Sequence, residues 1–319
     1  MIIYILLVLL GFGLLIKGAD WLVTGSSALA KKHHVSDLVI GLTIVAFGTS
    51  MPELVVNGIA SFQKHSDIVY GNIIGSNVFN IFVILGLTAV IYPITIKSSM
   101  VKKEIPFSLF LLLVVFFLSN SFLWQEEAVL SRADAALLFL LLVIFGYFVF
   151  KQSKNEVLTE EVEVSTVFSN VKIWGFILLG LVALVAGGQL VVSNAVNIAQ
   201  KWGISEKIIG LTIIAAGTSL PELVTSVVAA SKKKSDIAIG NVIGSNVLNM
   251  LVILSISGFI NPIPFNPKFN TELVLLGLGT VLVIVFNFTS QKNKLDRWEG
   301  MLLFGIFIAY TVYLIQNEM

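Results

Sequence analysis

Apolar runs recur along this chain with little polar sequence between them. They cover approximately residues 2–31, 38–62, 67–93, 103–122, 128–150, 172–200, 207–231, 236–260, 272–289 and 298–316. A bilayer span needs about 20 mainly apolar residues, so each run qualifies. Backbone polar groups in lipid must be satisfied within the protein, which leaves helices or closed barrels. The alternation expected of barrel strands is missing. The sequence therefore predicts an all-α integral membrane protein with ten transmembrane helices. Composition agrees, with 56% hydrophobic and 12% charged residues. That is about half the charged fraction of a soluble domain.

Other classes fall away quickly. The net charge is +1, so no basic field awaits nucleic acid. The chain has no cysteine, which removes disulfides, thiolate metal sites and cysteine nucleophiles. The run from Ile2 to Ile16 lacks a basic leader and continues through Ala19-Asp20-Trp21. It reads as a retained first span, not a cleaved signal. Of the 20 Lys and Arg, 14 fall in loops on one side of the predicted topology and 5 on the other, with Lys17 inside the first run. Basic loops stay cytoplasmic, which predicts both termini outside and the acidic connector around Glu156–Glu163 inside. Trp124 and Trp174 stand at run ends, as interfacial aromatics do.

Shifted by 169 residues, the chain aligns with itself without a gap from Gly18 to Pro93. Gly71-Asn72-Ile73-Ile74-Gly75-Ser76-Asn77 meets Gly240-Asn241-Val242-Ile243-Gly244-Ser245-Asn246, and Pro52 meets Pro221. The units are residues 1–151 and 169–319, joined by a linker at 152–168. Each unit holds five runs. An odd number turns the second unit upside down, giving an inverted repeat. Such repeats place substrate near the bilayer midplane, where interrupted helices meet, and work by alternating access.

The second, third, seventh and eighth runs carry Gly, Ser, Thr, Asn, Pro and Glu where lipid-facing helices would carry Leu and Phe. In Gly48-Thr49-Ser50-Met51-Pro52-Glu53 the proline lacks an N–H, so the Gly48 carbonyl loses its helical partner. The Ala46 carbonyl is expected to turn outward with it. Thr49, Ser50 and Glu53 are spaced to share one helix face. The second copy supplies Ala215, Thr218, Ser219 and Glu222. The other motif adds Ser76 with Asn80, and Ser245 with Asn249, each pair four residues apart. Its glycines, Gly71, Gly75, Gly240 and Gly244, suit close helix approach. An intramembrane glutamate marks function by default. The pooled oxygens match the number and hardness that Ca²⁺ requires, and two carboxylates balance its charge. Na⁺ accepts the same oxygens. Soft metals do not fit, since His33, His34 and His65 all lie in loops. Lys17 and Asp20 break the repeat symmetry and read as a local ion pair.

These paired motifs resemble those of the sodium/calcium exchangers in the cation/Ca²⁺ exchanger superfamily, especially the short prokaryotic members. The resemblance spans nearly the whole chain. It implies a central site built by broken helices 2, 3, 7 and 8. Glu53 and Glu222 would hold Ca²⁺ and Na⁺ in turn. Thr49, Ser50, Thr218, Ser219, Ser76 and Ser245 would add oxygens. Ala46 and Ala215 would add carbonyls, and Asn80 and Asn249 would complete the middle. The long first and sixth helices would slide to switch access. Some relatives carry Asp where this chain has Asn249, so the amide argues against K⁺ co-transport. The proton-coupled branch carries Gly-Asn-x-x-Glu. Here Asn72 is followed by Ile73, Ile74 and Gly75, which favours Na⁺ coupling.

The expected function is therefore electrogenic, K⁺-independent Na⁺/Ca²⁺ antiport across the cell membrane. The implied partners are the two ions and the bilayer, with no cofactor and no nucleic acid, and a monomer is compatible with that function. A Ca²⁺/H⁺ or other divalent exchanger is the alternative. A Ca²⁺ channel and an intramembrane enzyme fit less well, because alternating access is implied and no nucleophile accompanies the carboxylates.

Overall fold

The computed structural model describes residues 2–120, 128–155, 168–202, 215–289 and 293–318, and these are overwhelmingly helical. Trp124, most of the 152–168 linker and residues 207–214 of the seventh run lie outside the described residues. The helices are α1 (Ile2–Lys32), α2 (Asp37–Thr49), α3 (Met51–Phe62), α4 (Ser66–Ile91), α5 (Glu104–Ser119) and α6 (Arg132–Asn155). There follow α7 (Asn170–Lys201), α8 (Leu220–Ser231), α9 (Ser235–Ile260), α10 (Asn270–Phe286) and α11 (Arg297–Glu318). Among the described residues six helices are long and apolar enough to cross a membrane, or seven if the bent pair α2–α3 counts as one span. Helix α6 continues to Asn155, past the expected linker start at 152.

The polar composition of the third and eighth runs has a direct structural counterpart. The most apolar stretch of α9 is 94% buried and that of α4 is 78% buried, against 22% for α1. The helices that look like ordinary lipid-facing spans do face outward, and the small and polar ones form the interior. Neither α4 nor α9 is broken. No proline falls within either, so the backbone continues and instead relaxes into π-helical turns at Asn80–Leu85 and Asn249–Ile253.

Contacts divide the chain into two compact units, residues 1–52 with 145–241 and residues 53–144 with 242–319. Each takes sequence from both predicted repeats. In the first, α1 pairs with α7 along glycines seven residues apart. A Cβ on Gly18 would lie 2.8 Å from the Gly180 carbonyl, and one on Gly11 would lie 2.8 Å from that of Gly187. In lipid, where apolar association gains little, such backbone contact is what holds two helices together. Gly240 plays the same part for α9, because a Cβ there would come within 3.0 Å of the Leu38 carbonyl on α2. Gly75, expected to do likewise, has open space beside it. Lys234 pairs with Asp37 at 2.8 Å, and Lys232 pairs with Asp20 at 2.5 Å. The connection after α8 therefore lies beside the connection from α1 to α2. Asp20 also keeps the predicted local pair with Lys17, at 3.2 Å.

The second unit contains two short antiparallel ribbons. Strand β1 (Ile94–Thr95) pairs with β4 (Lys294–Leu295), and β2 (Val129–Leu130) pairs with β3 (Ile263–Pro264). Pro93 and Pro262 sit just past the ends of α4 and α9 and turn the chain into β1 and β3. Helix α5 separates β1 from β2. Between α4, α5 and α10 the core closes on Tyr70, whose hydroxyl meets Ser119 Oγ at 2.9 Å.

Candidate ion-binding site

Both Pro-Glu motifs interrupt a helix in the same way. Ser50, between α2 and α3, has φ −82° and ψ 8°. Ser219, just before α8, has φ −90° and ψ 7°. Pro52 and Pro221 each occupy the second position of the new helix, where a missing N–H costs nothing. The chain bends by 49° between α2 and α3. Two expectations need correction here. Thr49 and Glu53 do not share one helix face, because the break at Ser50 falls between them. The Ala46 carbonyl is not released. It accepts the Ser50 N–H at 3.0 Å and the Thr49 hydroxyl at 3.3 Å. The proline removes a partner four residues back, at Gly48, and leaves Ala46 its own.

A buried polar cluster lies in the first unit and joins the two copies of the motif. The Ser50 hydroxyl donates to Glu222 Oε1 at 2.9 Å. The Thr49 hydroxyl also reaches Asn241 Oδ1 at 3.0 Å. Asn241 Nδ2 donates to the Glu222 carbonyl at 3.3 Å and to Ser226 Oγ at 3.0 Å. Glu222 is 1% exposed. A carboxylate so placed holds its charge only with donors or a cation at hand, and a hydroxyl on a charged oxygen is one of the stronger hydrogen bonds available. Ser219 is buried in this unit and Thr218 is half-buried. Ala215 opens the helical turn Ala215–Gly217 that precedes the break.

The second unit holds a different cluster, neutral and nearly two-fold. Asn80 Nδ2 donates to Asn246 Oδ1 at 2.9 Å, and Asn249 Nδ2 donates to Asn77 Oδ1 at 2.9 Å. The two bonds exchange places under the 169-residue shift. Asn80 and Asn249 are also the first residues of the two π turns, which commonly mark functional positions in helices. Their Oδ1 atoms are buried and have no hydrogen-bond partner among the described residues. Ser76 and Ser245 are buried in the same unit, and Ser76 reaches Asn72 Oδ1 at 3.4 Å. Glu53, also buried here, has its backbone carbonyl capped by Asn57 Nδ2 at 2.8 Å.

Every residue expected at the site whose side chain is described is therefore buried or half-buried; the hydrogen bonds bring Thr49, Ser50 and Glu222 together in one cluster and Asn80 and Asn249 into the other. Asn77, Asn241, Asn246 and Ser226 were not foreseen as participants. The repeat carried the signal for the asparagines, since each motif copy ends in the same Ser-Asn pair three residues ahead of a further Asn. The side-chain oxygens are carboxylate, hydroxyl and amide, all hard donors suited to alkali and alkaline-earth cations.

Membrane-spanning helices that bury duplicated, oxygen-rich motifs are the architecture of an ion transporter. The chain belongs to the sodium/calcium exchanger protein family, whose profile matches residues 3–151 and 172–316. It is 36% identical to the putative antiporter CaxA of Alkalimonas amylolytica, over 99% of this chain and all of that protein. It is 35% identical to the sodium/calcium exchanger MaX1 of Methanosarcina acetivorans, over 97% of both chains. Among solved structures it is similar to the sodium-calcium exchanger NCX_Mj soaked with Na⁺ and Ca²⁺. That match has a TM-score of 0.82 and 32% identity, and covers 98% of each chain. The chain is thus an integral membrane protein of a cation/Ca²⁺ exchange family.

Proposed function

We propose that this protein exchanges Na⁺ for Ca²⁺ across the cell membrane by alternating access, electrogenically and without K⁺. The observation that carries the reading is the 2.9 Å bond from Ser50 of the first motif to Glu222 of the second. Two motif copies separated by most of the chain supply one buried carboxylate and its hydroxyl partner. The ligands are Glu53, Glu222, Thr49, Ser50, Thr218, Ser219, Ser76, Ser245, Asn80 and Asn249, with the carbonyl of Ala215; the Ala46 carbonyl, which already accepts the Ser50 N–H and the Thr49 hydroxyl, is left out. Ca²⁺ would break the hydrogen bond from Ser50 to Glu222; the hydroxyl keeps its proton and turns its oxygen to the ion, and the carboxylate oxygens bind it. Na⁺ takes the same oxygens, so the two ions exclude each other. More than two Na⁺ per Ca²⁺ would move net charge and make transport respond to voltage. Asn249, an amide, leaves the site with two carboxylates and no third charge for K⁺.

The ribbons support the inverted ten-helix reading. β1 and β3 are repeat equivalents, because the 169-residue shift carries Ile94 onto Ile263. Yet β3 pairs with β2, which stands at the other end of α5 from β1. Equivalent segments at opposite ends are what inversion requires. The proximity of Lys232 to Asp20 agrees with the charge bias, which puts both connections in the cytoplasm and the termini outside.

The test is transport by the full chain in proteoliposomes. Ca²⁺ uptake should follow an outward Na⁺ gradient, persist without K⁺ and grow when the interior is made positive, because more than two Na⁺ leaving per Ca²⁺ entering carries net positive charge out. Uptake driven by a pH gradient and indifferent to Na⁺ would overturn Na⁺ coupling.

A further inference from the structure

Two of the proposed ligands, Asn80 and Asn249, are amides, and an amide can present either oxygen or nitrogen. Only the oxygen binds a cation. Something must therefore decide which way each side chain faces.

The second unit contains that device. Asn246 Nδ2 donates to the backbone carbonyl of Asn77 at 3.4 Å, and Asn77 Nδ2 donates to the backbone carbonyl of Asn246 at 3.5 Å. A carbonyl only accepts, so each of these two amides has to offer it the nitrogen. That leaves Asn246 Oδ1 and Asn77 Oδ1 as acceptors. Asn80 answers the first with Nδ2 and Asn249 answers the second with Nδ2, each at 2.9 Å. Their own oxygens are then forced away from the ladder. These are the two Oδ1 atoms that are buried without a hydrogen-bond partner among the described residues. All four asparagines are at most 1% exposed, and a buried acceptor with no donor is costly unless a ligand meets it.

We infer that Asn77 and Asn246 are positioning residues that orient Asn249 and Asn80 crosswise, so that each presents oxygen to the transported cation. This rests on the reading of Asn80 and Asn249 as ligands. The device also selects for an amide at both positions. An aspartate at 249 would set a carboxylate oxygen against Asn77 Oδ1, acceptor against acceptor. The ladder thereby keeps the middle of the site neutral and leaves the charge to Glu53 and Glu222.

The experiment compares Asn77→Leu and Asn246→Leu with Asn246→Asp in the full-length protein. Transport is read as the Ca²⁺ concentration dependence in proteoliposomes, and equilibrium Ca²⁺ binding is read in detergent. Leucine matches the volume and removes the acceptor. Both leucine variants should raise KM and Kd for Ca²⁺ together by about 10- to 100-fold, the usual effect of losing an outer-shell partner, with the maximal rate largely kept. Asn246→Asp keeps an oxygen opposite Asn80 Nδ2 and should bind Ca²⁺ better than Asn246→Leu. A purely structural role predicts the reverse order, since leucine is the easier residue to bury. Wild-type KM and Kd in the leucine variants would overturn the inference. Should leucine prevent folding, Asn77→Ser and Asn246→Ser, whose hydroxyls stop short of the partner amide, carry the same expectation. Absence of Na⁺-driven uptake in the wild type would count against the proposed exchange alone, because the binding comparison still decides the positioning role.

Discussion

The two polar clusters solve opposite problems. In the first unit, Thr49, Ser50 and Asn241 spend their donors within the cluster, and the Ser50 hydroxyl sits directly on the Glu222 carboxylate. In the second, Asn77, Asn80, Asn246 and Asn249 spend their nitrogens on one another and keep two oxygens back. The first cluster holds a carboxylate and the second holds neutral amides. On the proposed function, the first would have to rearrange to admit a cation, while the second is already arranged. The carboxylate would then draw Ca²⁺ in, and the neutral oxygens would add selectivity without deepening the well so far that the ion could not leave.

The contrast predicts a graded response to mutation. The largest effect belongs to charge. Glu222→Gln and Glu53→Gln should each reduce exchange by more than about 100-fold, in line with the roughly 3–5 kcal/mol that a buried charge partner carries. Both proteins should remain monodisperse on size exclusion. Full activity in either would remove that carboxylate from the site. The asparagines come next. Asn80→Ala and Asn249→Ala should raise the KM for Ca²⁺ by about 10- to 100-fold each, no less than the loss of the residues that orient them, and by similar factors, since the ladder treats them alike. A large inequality between them would break the two-fold account. Ser50→Ala should have the smallest effect, a shift in KM of several-fold at most. It removes one oxygen but also frees Glu222 from a bond worth about 1.5–3 kcal/mol, and the two changes oppose. A loss as deep as that of Glu222→Gln would mean the hydroxyl is not a competitor but an essential ligand.

Much of this was legible in the sequence because membranes restrict the choices so severely. The apolar runs, the proline at each helix interruption and the duplication of Ser50 and Ser219 all followed from local chemistry. So did the ion pair of Lys17 with Asp20, although its larger partner, Lys232, is 212 residues away from Asp20 and invisible to local spacing. The crosswise amide pairing was harder to read. Spacing of three residues between Asn77 and Asn80 suggests neighbours on one helix, whereas each pairs with the other repeat. The Ala46 carbonyl was misjudged because the proline's effect was spread over a turn, when it falls on a single carbonyl. Broken third and eighth helices were implied by the family resemblance, but small and polar residues without proline weaken a helix and do not interrupt it.

Central to the account is the claim that both ions use the same carboxylates. Equilibrium Ca²⁺ binding to the purified full-length protein at increasing Na⁺ tests it most directly. The account predicts that Na⁺ displaces Ca²⁺ competitively, with the apparent Kd for Ca²⁺ rising more steeply than the first power of Na⁺ concentration, and that Glu222→Gln weakens Ca²⁺ binding and its sensitivity to Na⁺ together. Ca²⁺ binding that is unmoved by Na⁺, or a Glu222→Gln protein that loses Ca²⁺ while Na⁺ still binds as before, would contradict it.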